Sequence, residues 1–372
     1  MSRRRQKLRK KKMGETKIKI EGEKEKYLAT VKKSKKWLLI SITGALLVAV
    51  SLLGYFIFGR QGKDNSNGSI VNNKEDQVRR VIDGVYDVRE NRQLYPVAVM
   101  IENLVTVRPQ AGLENANLVY EALAEGGITR FMAVYNLTSS IAKIGPVRSA
   151  RPYFLDWVKE YNALYGHVGG SPLAMSLIST YDVFNLDQFY DSRYFWRDKK
   201  IAAPHNVFTS SDLLIFALRD KKAPAEGNYE GYQFKEEAAL GSRPTEQRNI
   251  AIDYSSFSYK VEYTYDREKN VYLRAQGGEP FVNQKNEQMA AKNVVVQYVK
   301  TSVIEEGRLS MVTIGEGQAV IFQDGKATAA TWKKEGRNQR TLFYDETGKE
   351  IEFNAGQTWI QVVPDDRTVT YN

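Results

Sequence analysis

The stretch LVYEALAEGGITRFMAVYN, residues 118–136, holds two apolar runs on either side of Gly126–Gly127. Each run has the length of a strand, and a glycine pair between two such runs is typical of a turn. The stretch therefore predicts two adjacent strands joined as a hairpin. Upstream, YPVAVMIEN (95–103) contains an uninterrupted apolar run, Val97–Ile101, which predicts a strand buried on both faces.

Helical patterns follow this hairpin. In RPYFLDWVKEYN (151–162) apolar residues recur at the i, i+3, i+4 and i+7 positions of a helix. Two further segments, SPLAMSLIST (171–180) and SDLLIFALRDKK (211–222), have serines at their starts that can cap a helix. The short apolar segment ALYGHV (163–168) reads as a strand. Because strands alternate with helices, residues 93–235 are predicted to form a mixed α/β domain with helices packed on a sheet.

The chain after residue 249 has a different pattern. KVEYTYDREKNVYLRA (260–275) alternates apolar and polar residues around a turn, and Asp324–Gly325 is a two-residue hairpin signal. Further short strand patterns separated by turns follow it. They predict a β-rich C-terminal domain over 249–372, shaped as a sandwich or a barrel, after a linker at 236–248. The expected fold class of the whole body is α+β.

The net positive charge of the chain comes from its N-terminal segment. The chain carries 54 Lys+Arg and 44 Asp+Glu, but residues 1–36 alone hold 16 basic and 4 acidic side chains. Residues 37–372 therefore keep 54 − 16 = 38 basic and 44 − 4 = 40 acidic groups, a net charge of −2. A nearly neutral body argues against a nucleic-acid partner, and residues 1–36 are predicted to be a basic cytoplasmic tail.

Residues 37–58, WLLISITGALLVAVSLLGYFIF, are 22 residues without a charge, enough for a helix to cross a hydrocarbon layer of about 30 Å. Lys and Arg are more frequent before this segment than after it, so the N-terminus is predicted to be cytoplasmic and the body extracytoplasmic. A cleaved signal peptide is the alternative. The long apolar core and the missing small-x-small cleavage site favour an uncleaved signal anchor, with the lipid bilayer as partner. Residues 59–92 are predicted to form a flexible stalk.

The chain contains no cysteine and only two histidines. Without cysteine there can be no disulfide, no thiol nucleophile, no cysteine zinc site and no cysteine-linked lipid anchor. An extracytoplasmic body of this size can fold without disulfides.

Potential site residues concentrate between residues 144 and 206. Two arginines directly precede a predicted helix, and GHVGGSP (166–172) places a histidine and a serine around a strand-to-helix turn. In α/β proteins the carboxyl ends of strands and the helix N-termini that follow them bind anions. We therefore expect an anion-binding pocket formed by Arg148, Arg151, His167, Gly169, Gly170, Ser171, Asp187, Trp196, Arg197, Asp198, His205 and Asn206.

Each of these residues also has a structural interpretation, such as a surface ion pair, a buried imidazole or a helix cap. A metal site could combine His167 and His205 with Asp187 or Asp198, but no known ligand spacing is present, so neither metal nor cofactor is expected. GHVGGSP also lacks the G-x-S-x-G pattern of serine hydrolases. A histidine acting as acid or base beside an arginine is the least demanding enzyme hypothesis, and binding without a reaction needs the same residues.

These motifs resemble the YerB-like family, exported envelope proteins of Gram-positive bacteria built around a domain of unknown function. The resemblance covers about residues 95–370 and rests on PVAVMIEN, IGPVRSARPYF, HVGGSP, NLD, FWRD, APHN, GEGQAVIFQDGK and GQTWIQVVP. It implies a two-part body and adds Glu121 and Ser149 to the site residues, but it implies no reaction. Family members are mostly lipoproteins anchored through a cysteine, whereas this chain has the uncharged segment 37–58 and no cysteine.

The sequence thus predicts a membrane-anchored extracytoplasmic envelope protein that binds an anionic component through an Arg/His pocket. A cell-wall polymer or an envelope protein is the expected partner. The alternative is a hydrolase or transferase acting on peptidoglycan or wall polymer, with His167 or His205 as acid/base and with Asp198 and Glu121 as further catalytic residues. A third hypothesis is a scaffold whose β-rich domain docks other membrane proteins.

Overall fold

The computed structural model describes residues 77–372. The predicted cytoplasmic tail, the predicted membrane span 37–58 and the first part of the predicted stalk, 59–76, lie outside the described residues. Within residues 77–372, no helix is both long enough and apolar enough to cross a membrane.

The first half of the described chain alternates strands with helices. Its strands are β1 (Val78–Arg79), β2 (Tyr86–Asp87), β3 (Val97–Glu102), β4 (Leu118–Leu123), β5 (Thr129–Tyr135), β6 (Leu164–His167), β7 (Asn185–Asp187), β8 (Trp196–Arg197), β9 (Val207–Phe208) and β10 (Phe234–Lys235). Its helices are α1 (Pro152–Tyr161), α2 (Pro172–Thr180) and α3 (Ser211–Asp220). The three helices predicted from periodicity and capping are therefore confirmed.

The second half, from residue 249 to residue 372, is made of strands, turns and short 3-10 helices. Its strands are β11 (Asn249–Asp253), β12 (Lys260–Asp266), β13 (Val271–Gln276), β14 (Glu279–Pro280), β15 (Ala290–Ala291), β16 (Asn293–Val299), β17 (Thr301–Val303), β18 (Leu309–Met311), β19 (Gly315–Gln323), β20 (Lys326–Lys334), β21 (Leu342–Tyr344), β22 (Phe353–Asn354), β23 (Thr358–Pro364) and β24 (Val369–Tyr371). The predicted turn at Asp324–Gly325 joins β19 to β20, whose end residues Gln323 and Lys326 pair.

Ten strands form one central sheet in the order β21-β20-β19-β16-β23-β4-β5-β3-β6-β7. The predicted hairpin is β4–β5, antiparallel, with Leu118 opposite Val134 and Leu123 opposite Thr129. On its other side β4 pairs with β23 in parallel. A second sheet of six strands has the order β14-β13-β12-β11-β24, with β15 paired to β13.

The central sheet is covered on both faces, because every residue of β3, β4 and β5 is buried. Helix α1 covers one face, where Tyr120 stacks on Trp157 with ring centroids 5.3 Å apart. The six-stranded sheet covers the other face, where the guanidinium of Arg274 lies 5.8 Å from the ring centroid of Phe131. The architecture is therefore three layers: helices, central sheet and six-stranded sheet.

The prediction of a separate C-terminal sandwich or barrel is wrong. Five strands from the second half, β16, β19, β20, β21 and β23, extend the central sheet, and no sheet of the described chain closes on itself. The reason is visible in β23, whose seven residues are all buried. A strand buried on both faces belongs inside a covered sheet, while β12 and β13 alternate buried and half-exposed residues and so cover one face only. The mixed α+β class itself is confirmed.

Ordered structure begins earlier than the sequence indicates. The first described strands, β1 and β2, pair as a hairpin within the range predicted as stalk. Its turn buries Ile82, which is 2% exposed, and Arg80 forms an ion pair with Asp83 at 2.6 Å. Gly84 allows the turn, because its φ is +69° and the ring of Phe234 occupies the space of a Cβ. Residues 77–92 therefore pack on the body, and the predicted domain boundaries at 235 and 249 stay a prediction.

Candidate functional site

The candidate site lies at the edge of the central sheet where three parallel strands end. Strands β3, β6 and β7 run parallel and finish with Glu102, His167 and Asp187. Strand β5 runs antiparallel to β3 and therefore begins at the same edge, where Arg130 is the register partner of Glu102. This carboxyl edge is where ligand sites of α/β sheets are found.

Glu102 joins two of the predicted residues. Its Oε1 lies 3.1 Å from Nε of Arg148, and its Oε2 lies 2.8 Å from Nδ1 of His205. The Glu102 side chain is only 7% exposed, while those of Arg148 and His205 are 20% and 27% exposed. A buried carboxylate thus orients an arginine and an imidazole that both reach the surface.

Arg130 adds a positive charge that no carboxylate neutralises. It is 7% exposed, its Nη1 donates to the carbonyl oxygen of Ser149 at 2.8 Å, and it forms no ion pair within residues 77–372. Burial, together with the positive charges of Arg151 and Arg148, lowers the pKa of Arg130 to about 10. We call Glu102, Arg130, Arg148 and His205 the edge cluster.

Glu102 and Arg130 were missed by the sequence analysis. The available signal for Glu102 was its position as the first charged residue after the apolar run of β3, at the end of a buried strand. Arg130 follows the hairpin turn of β4–β5 and had no comparable signal, because its position opposite Glu102 depends on the register between β3 and β5.

Arg151 does not face a ligand surface. Its Nε and Nη2 both donate to the carboxylate of Glu125, and its Nη1 donates to the carbonyl oxygen of Ala150 at 2.7 Å. Burial alone would raise the pKa of Glu125, but the hydrogen bond and charge of Arg151 outweigh it, so this pKa is lowered. Arg151 is therefore a structural ion-pair partner that ties α1 to the β4–β5 turn.

Side-chain contacts connect the residue after His205 with the loop that follows β7, at the carboxyl edge of the sheet. Asn206, the next residue, accepts a hydrogen bond from Nη1 of Arg197 at 2.9 Å. Nη2 of Arg197 donates to Oε1 of Gln188 at 3.2 Å. The neighbouring ring, Phe189, packs against Gly169, where a Cβ would lie 2.7 Å from the ring. Arg197 and Asn206 are thus in contact, and His205 is the residue next to Asn206 in the chain.

Gly169 also lies next to the segment that carries Arg148. Its φ of +53° and the Phe189 ring explain why glycine stands there. Its carbonyl accepts from the backbone N–H of Ala150 at 2.9 Å, and the N–H of Val168 donates to the carbonyl of Arg148 at 3.1 Å. The turn that carries Gly169 and Gly170 therefore lies directly against the segment that carries Arg148 and Ser149.

His167 is not a working acid or base in this arrangement. It is fully buried, with Nδ1 at 2.8 Å from the carbonyl oxygen of Gly169 and Nε2 at 2.6 Å from Oδ1 of Asn185. Both ring nitrogens are engaged inside the protein, so His167 holds the turn after β6. Ser171 likewise has a structural role, because its Oγ accepts from the N–H of Ala174 at 3.3 Å as the N-cap of α2.

Glu121 lies on the opposite face of the sheet from the edge cluster. It is fully buried, and its Oε2 is 2.8 Å from Nη2 of Arg274 on β13. In the β4–β5 register Glu121 is opposite Phe131, whereas Arg130 is opposite Ala122, and neighbouring positions of a strand point to opposite faces. The predicted catalytic role of Glu121 therefore has no support from its position.

The remaining predicted residues shape the loops around His205. Asp198 accepts from the N–H of Lys200 and from Nζ of Lys143, both at 3.0 Å, and these contacts lower its pKa. Trp196 is 37% exposed and packs beside Phe208, with ring centroids 6.2 Å apart. Both residues lie in the segment that leads to His205. In residues 77–372 neither of them forms a hydrogen bond with the His205 ring or with Glu102.

The two histidines do not form a metal site together. Their ring nitrogens contact different partners, and residues 77–372 contain no group of three His, Asp or Glu side chains arranged to hold a metal ion. Asp187 instead accepts from the N–H groups of Gly169 and Phe189 through Oδ1, at 2.9 and 3.1 Å. Its second oxygen, Oδ2, is buried without a partner among the described residues.

Comparison with known proteins identifies the family. Residues 84–224 match the N-terminal domain, and residues 250–360 the C-terminal domain, of a family described as protein of unknown function (DUF3048). "Putative lipoprotein YerB" of Bacillus subtilis (strain 168) is 33% identical over 285 residues, 73% of this chain and 81% of that protein. The crystal structure of the YerB protein from Bacillus subtilis superposes with a TM-score of 0.70 at 28% identity, covering 79% of this chain and 99% of that chain. The resemblance to YerB is thus confirmed, and the chain belongs to the DUF3048 family.

Proposed function

We propose that the protein is a membrane-anchored extracytoplasmic envelope protein whose edge cluster binds an anionic group of a wall polymer. The uncharged segment 37–58 and the lipoprotein name of the Bacillus subtilis relative support the location. The segment would place the body on the same side of the membrane as a lipid anchor does.

The observation that carries the binding proposal is the unpaired guanidinium of Arg130 at the carboxyl edge. Arg148 and Arg151 form ion pairs with Glu102 and Glu125, whereas Arg130 forms none within residues 77–372. A buried guanidinium without a counter-ion is destabilising, so an anion next to it gains binding energy by neutralising it. Arg148 and the exposed side of His205 offer hydrogen-bond donors for a phosphate or a carboxylate.

The surroundings of the edge cluster favour a polymer over a small enclosed ligand. Phe189, which packs against Gly169, is 66% exposed, and the next residue, Tyr190, is 85% exposed. Trp196 is 37% exposed. Exposed aromatic rings next to a charged group are typical of binding surfaces, because they supply contact area at a low entropic cost. A wall polymer offers both repeated anionic groups and sugar rings to such a surface.

Calorimetric titration of the full-length protein with a purified phosphodiester wall polymer, with peptidoglycan fragments and with inorganic phosphate tests the proposal. Arg148→Gln should weaken polymer binding at least tenfold, because it removes a partly exposed, positively charged donor of the edge cluster. Arg193→Gln is the matched control, since Arg193 is a 71% exposed arginine outside the edge cluster. Equal affinities of the two variants, or no binding of any of these anions by the unaltered protein, would contradict the proposal.

A second candidate function rests on the contact between Glu102 and His205. A buried carboxylate that binds Nδ1 of an imidazole leaves Nε2 as an acid or base, and in residues 77–372 Nε2 of His205 has no partner. Such a pair suits a hydrolase or transferase acting on wall material. His167, Asp198 and Glu121 are not needed in this mechanism.

The two functions are separated by His205→Gln. If the protein is an enzyme, this variant loses turnover of the purified polymer while its affinity for the polymer falls by less than about threefold. If the protein only binds, no product forms with either protein, as mass spectrometry of the polymer after prolonged incubation would show.

A further inference from the structure

A cavity of about 350 Å³ lies between the loop after β3 and the turns that flank β12 and β13. Two apolar side chains at this cavity, Phe257 and Val105, are 68% and 46% exposed. Exposed apolar side chains around a concave space are typical of ligand sites, because a packed core would bury them. The apolar lining consists of Val105, Pro109, Phe257, Pro280, Phe281 and Val282.

One cation lines this cavity. The guanidinium of Arg108 donates from Nη1 and Nη2 to the carbonyl oxygen of Ser258, at 3.1 Å each, and from Nε to Oδ1 of Asn103 at 3.0 Å. All of these acceptors are neutral, and Arg108 forms no ion pair with any carboxylate in residues 77–372. Burial lowers its pKa, and the more distant Glu121 offsets this only in part. Arg108 is therefore fixed in position but not neutralised.

A second polar group at the cavity wall lacks a partner. Gln276 is 4% exposed, and its Oε1 accepts from Nδ2 of Asn103 at 3.1 Å and from Nη2 of Arg274 at 3.2 Å. These contacts fix the orientation of the amide and leave Nε2 as a buried donor without an acceptor among the described residues. Such a donor is destabilising unless an oxygen of a ligand or of water is near it.

We propose that this cavity binds a small molecule made of an apolar chain and a carboxylate. The apolar walls match the chain. Nη2 of Arg108 also donates to the carbonyl oxygen of Asn103 at 3.3 Å, so the carboxylate is matched by the positive charge of Arg108, by the one N–H that remains on Nη1, and by the unpaired Nε2 of Gln276. A volume of about 350 Å³ suits one acyl chain and is too small for a polymer. The glycines of the β13–β14 turn support the aromatic wall, because a Cβ on Gly278 would lie 3.0 Å from the ring of Phe257.

The cavity is separate from the edge cluster. Its lining residues come from the six-stranded sheet and from the loop 105–109, and none of them belongs to the edge cluster. One acidic side chain, Glu279, also lines the cavity, on the exposed strand β14. Its charge opposes a carboxylate ligand, so the affinity for such a ligand should increase when this charge is removed.

The test compares octanoate with octanol, using the full-length protein in lipid nanodiscs and empty nanodiscs as the blank. Ligand-detected NMR should show octanoate bound at least tenfold more tightly than octanol. Equal affinity for the two molecules would overturn the proposal, because the carboxylate would then contribute nothing.

Three variants locate the site. Phe257→Ala should weaken octanoate binding at least fivefold, whereas Phe216→Ala, which removes an exposed aromatic ring on α3 outside both the cavity and the edge cluster, should leave it unchanged. Glu279→Gln should strengthen octanoate binding two- to threefold and leave octanol binding unchanged. Because Glu279 and Phe257 are exposed, these variants are expected to keep the fold and to leave the buried contacts of Arg108 intact. Unchanged octanoate affinity in both Phe257→Ala and Glu279→Gln would place the ligand elsewhere and overturn the proposal.

Discussion

Glu121 and Glu102 lie in the same sheet, on β4 and β3, and both pair with arginines, yet their surroundings differ. Glu121 and Arg274 are 0% and 1% exposed, and Arg274 is surrounded by the rings of Phe131, Tyr263, Phe281 and Trp359, with centroids 4.5 to 5.8 Å away. Glu102 is shared by Arg148 and His205, which are both partly exposed.

The difference shows which charges serve the fold and which are available to a ligand. Burial alone would lower the pKa of Arg274, but Glu121 and Tyr263 raise it overall, so this closed pair is well compensated. In the edge cluster the pKa of Arg130 is instead lowered to about 10, because burial and the charges of Arg151 and Arg148 outweigh the opposite effects of Tyr153 and Glu125. The ion pair of Glu121 and Arg274 holds two layers together, whereas the charge of Arg130, which has no carboxylate partner in residues 77–372, is available to bind an anion.

The largest effect is expected from breaking the closed pair. Arg274→Met leaves Glu121 as a buried charge without a cationic partner, so we expect a loss of about 3–5 kcal/mol in the free energy of unfolding. Urea denaturation followed by circular dichroism measures this quantity. A loss below about 1 kcal/mol would show that the closed pair does not hold the layers together.

A smaller loss is expected when the shared carboxylate of the edge cluster is neutralised. Glu102→Gln keeps the shape of the side chain but removes the ion pair with Arg148 and weakens the hydrogen bond to His205, and solvent can partly replace both contacts. We expect a loss of about 1–2 kcal/mol in the same denaturation experiment. A loss as large as that of Arg274→Met would remove the distinction between the two regions.

Arg130→Met is the counterpart of Arg274→Met, because it removes a buried guanidinium that has no carboxylate partner. The variant loses one hydrogen bond to the carbonyl of Ser149 but also loses an uncompensated charge. We therefore expect the free energy of unfolding to stay within about 1 kcal/mol, while binding of the phosphodiester wall polymer falls at least tenfold. A strongly destabilised variant with intact binding would assign Arg130 to the fold instead.

The smallest effect concerns acid stability at the β4–β5 turn. The pKa of Glu125 is lowered below its usual value near 4.5, since the hydrogen bond and charge of Arg151 outweigh the opposite effect of burial. Between the folded and unfolded pKa values the unfolded chain binds more protons, so this stabilisation is complete above about pH 4.5 and is lost as the pH falls.

Arg151→Gln removes the cause of this shift. In the variant the free energy of unfolding should therefore decrease less steeply from pH 5 to pH 3 than in the unaltered protein. Urea denaturation at intervals across this range, with Arg193→Gln as the control, measures the two slopes. Identical slopes for the unaltered protein and Arg151→Gln would show that Arg151 does not lower the pKa of Glu125 in the folded protein.

The sequence by itself determined the local elements and the family, and it predicted where a candidate site lies. Apolar runs predicted β3 and the β4–β5 hairpin, periodicity and serine caps predicted the three helices, and the motifs identified the family. These signals are local, because strand burial, helix amphipathicity and capping are each written in consecutive residues. Arg148 could be named because it precedes a predicted helix, and Arg197, His205 and Asn206 could be named because they lie in the motifs FWRD and APHN.

Only the tertiary structure decided which charges meet. Strand β23 pairs with β4 and so joins both halves of the chain in one sheet. The sequence of β23, TWIQVVP, does not indicate which strand it pairs with. The register between β3 and β5 places Arg130 opposite Glu102, and the alternation along β4 sends Glu121 to the other face. Glu121 forms a buried ion pair with Arg274, and Glu102 contacts the partly exposed His205. Both partners are more than a hundred residues away in the chain, and such contacts arise only when distant segments pack.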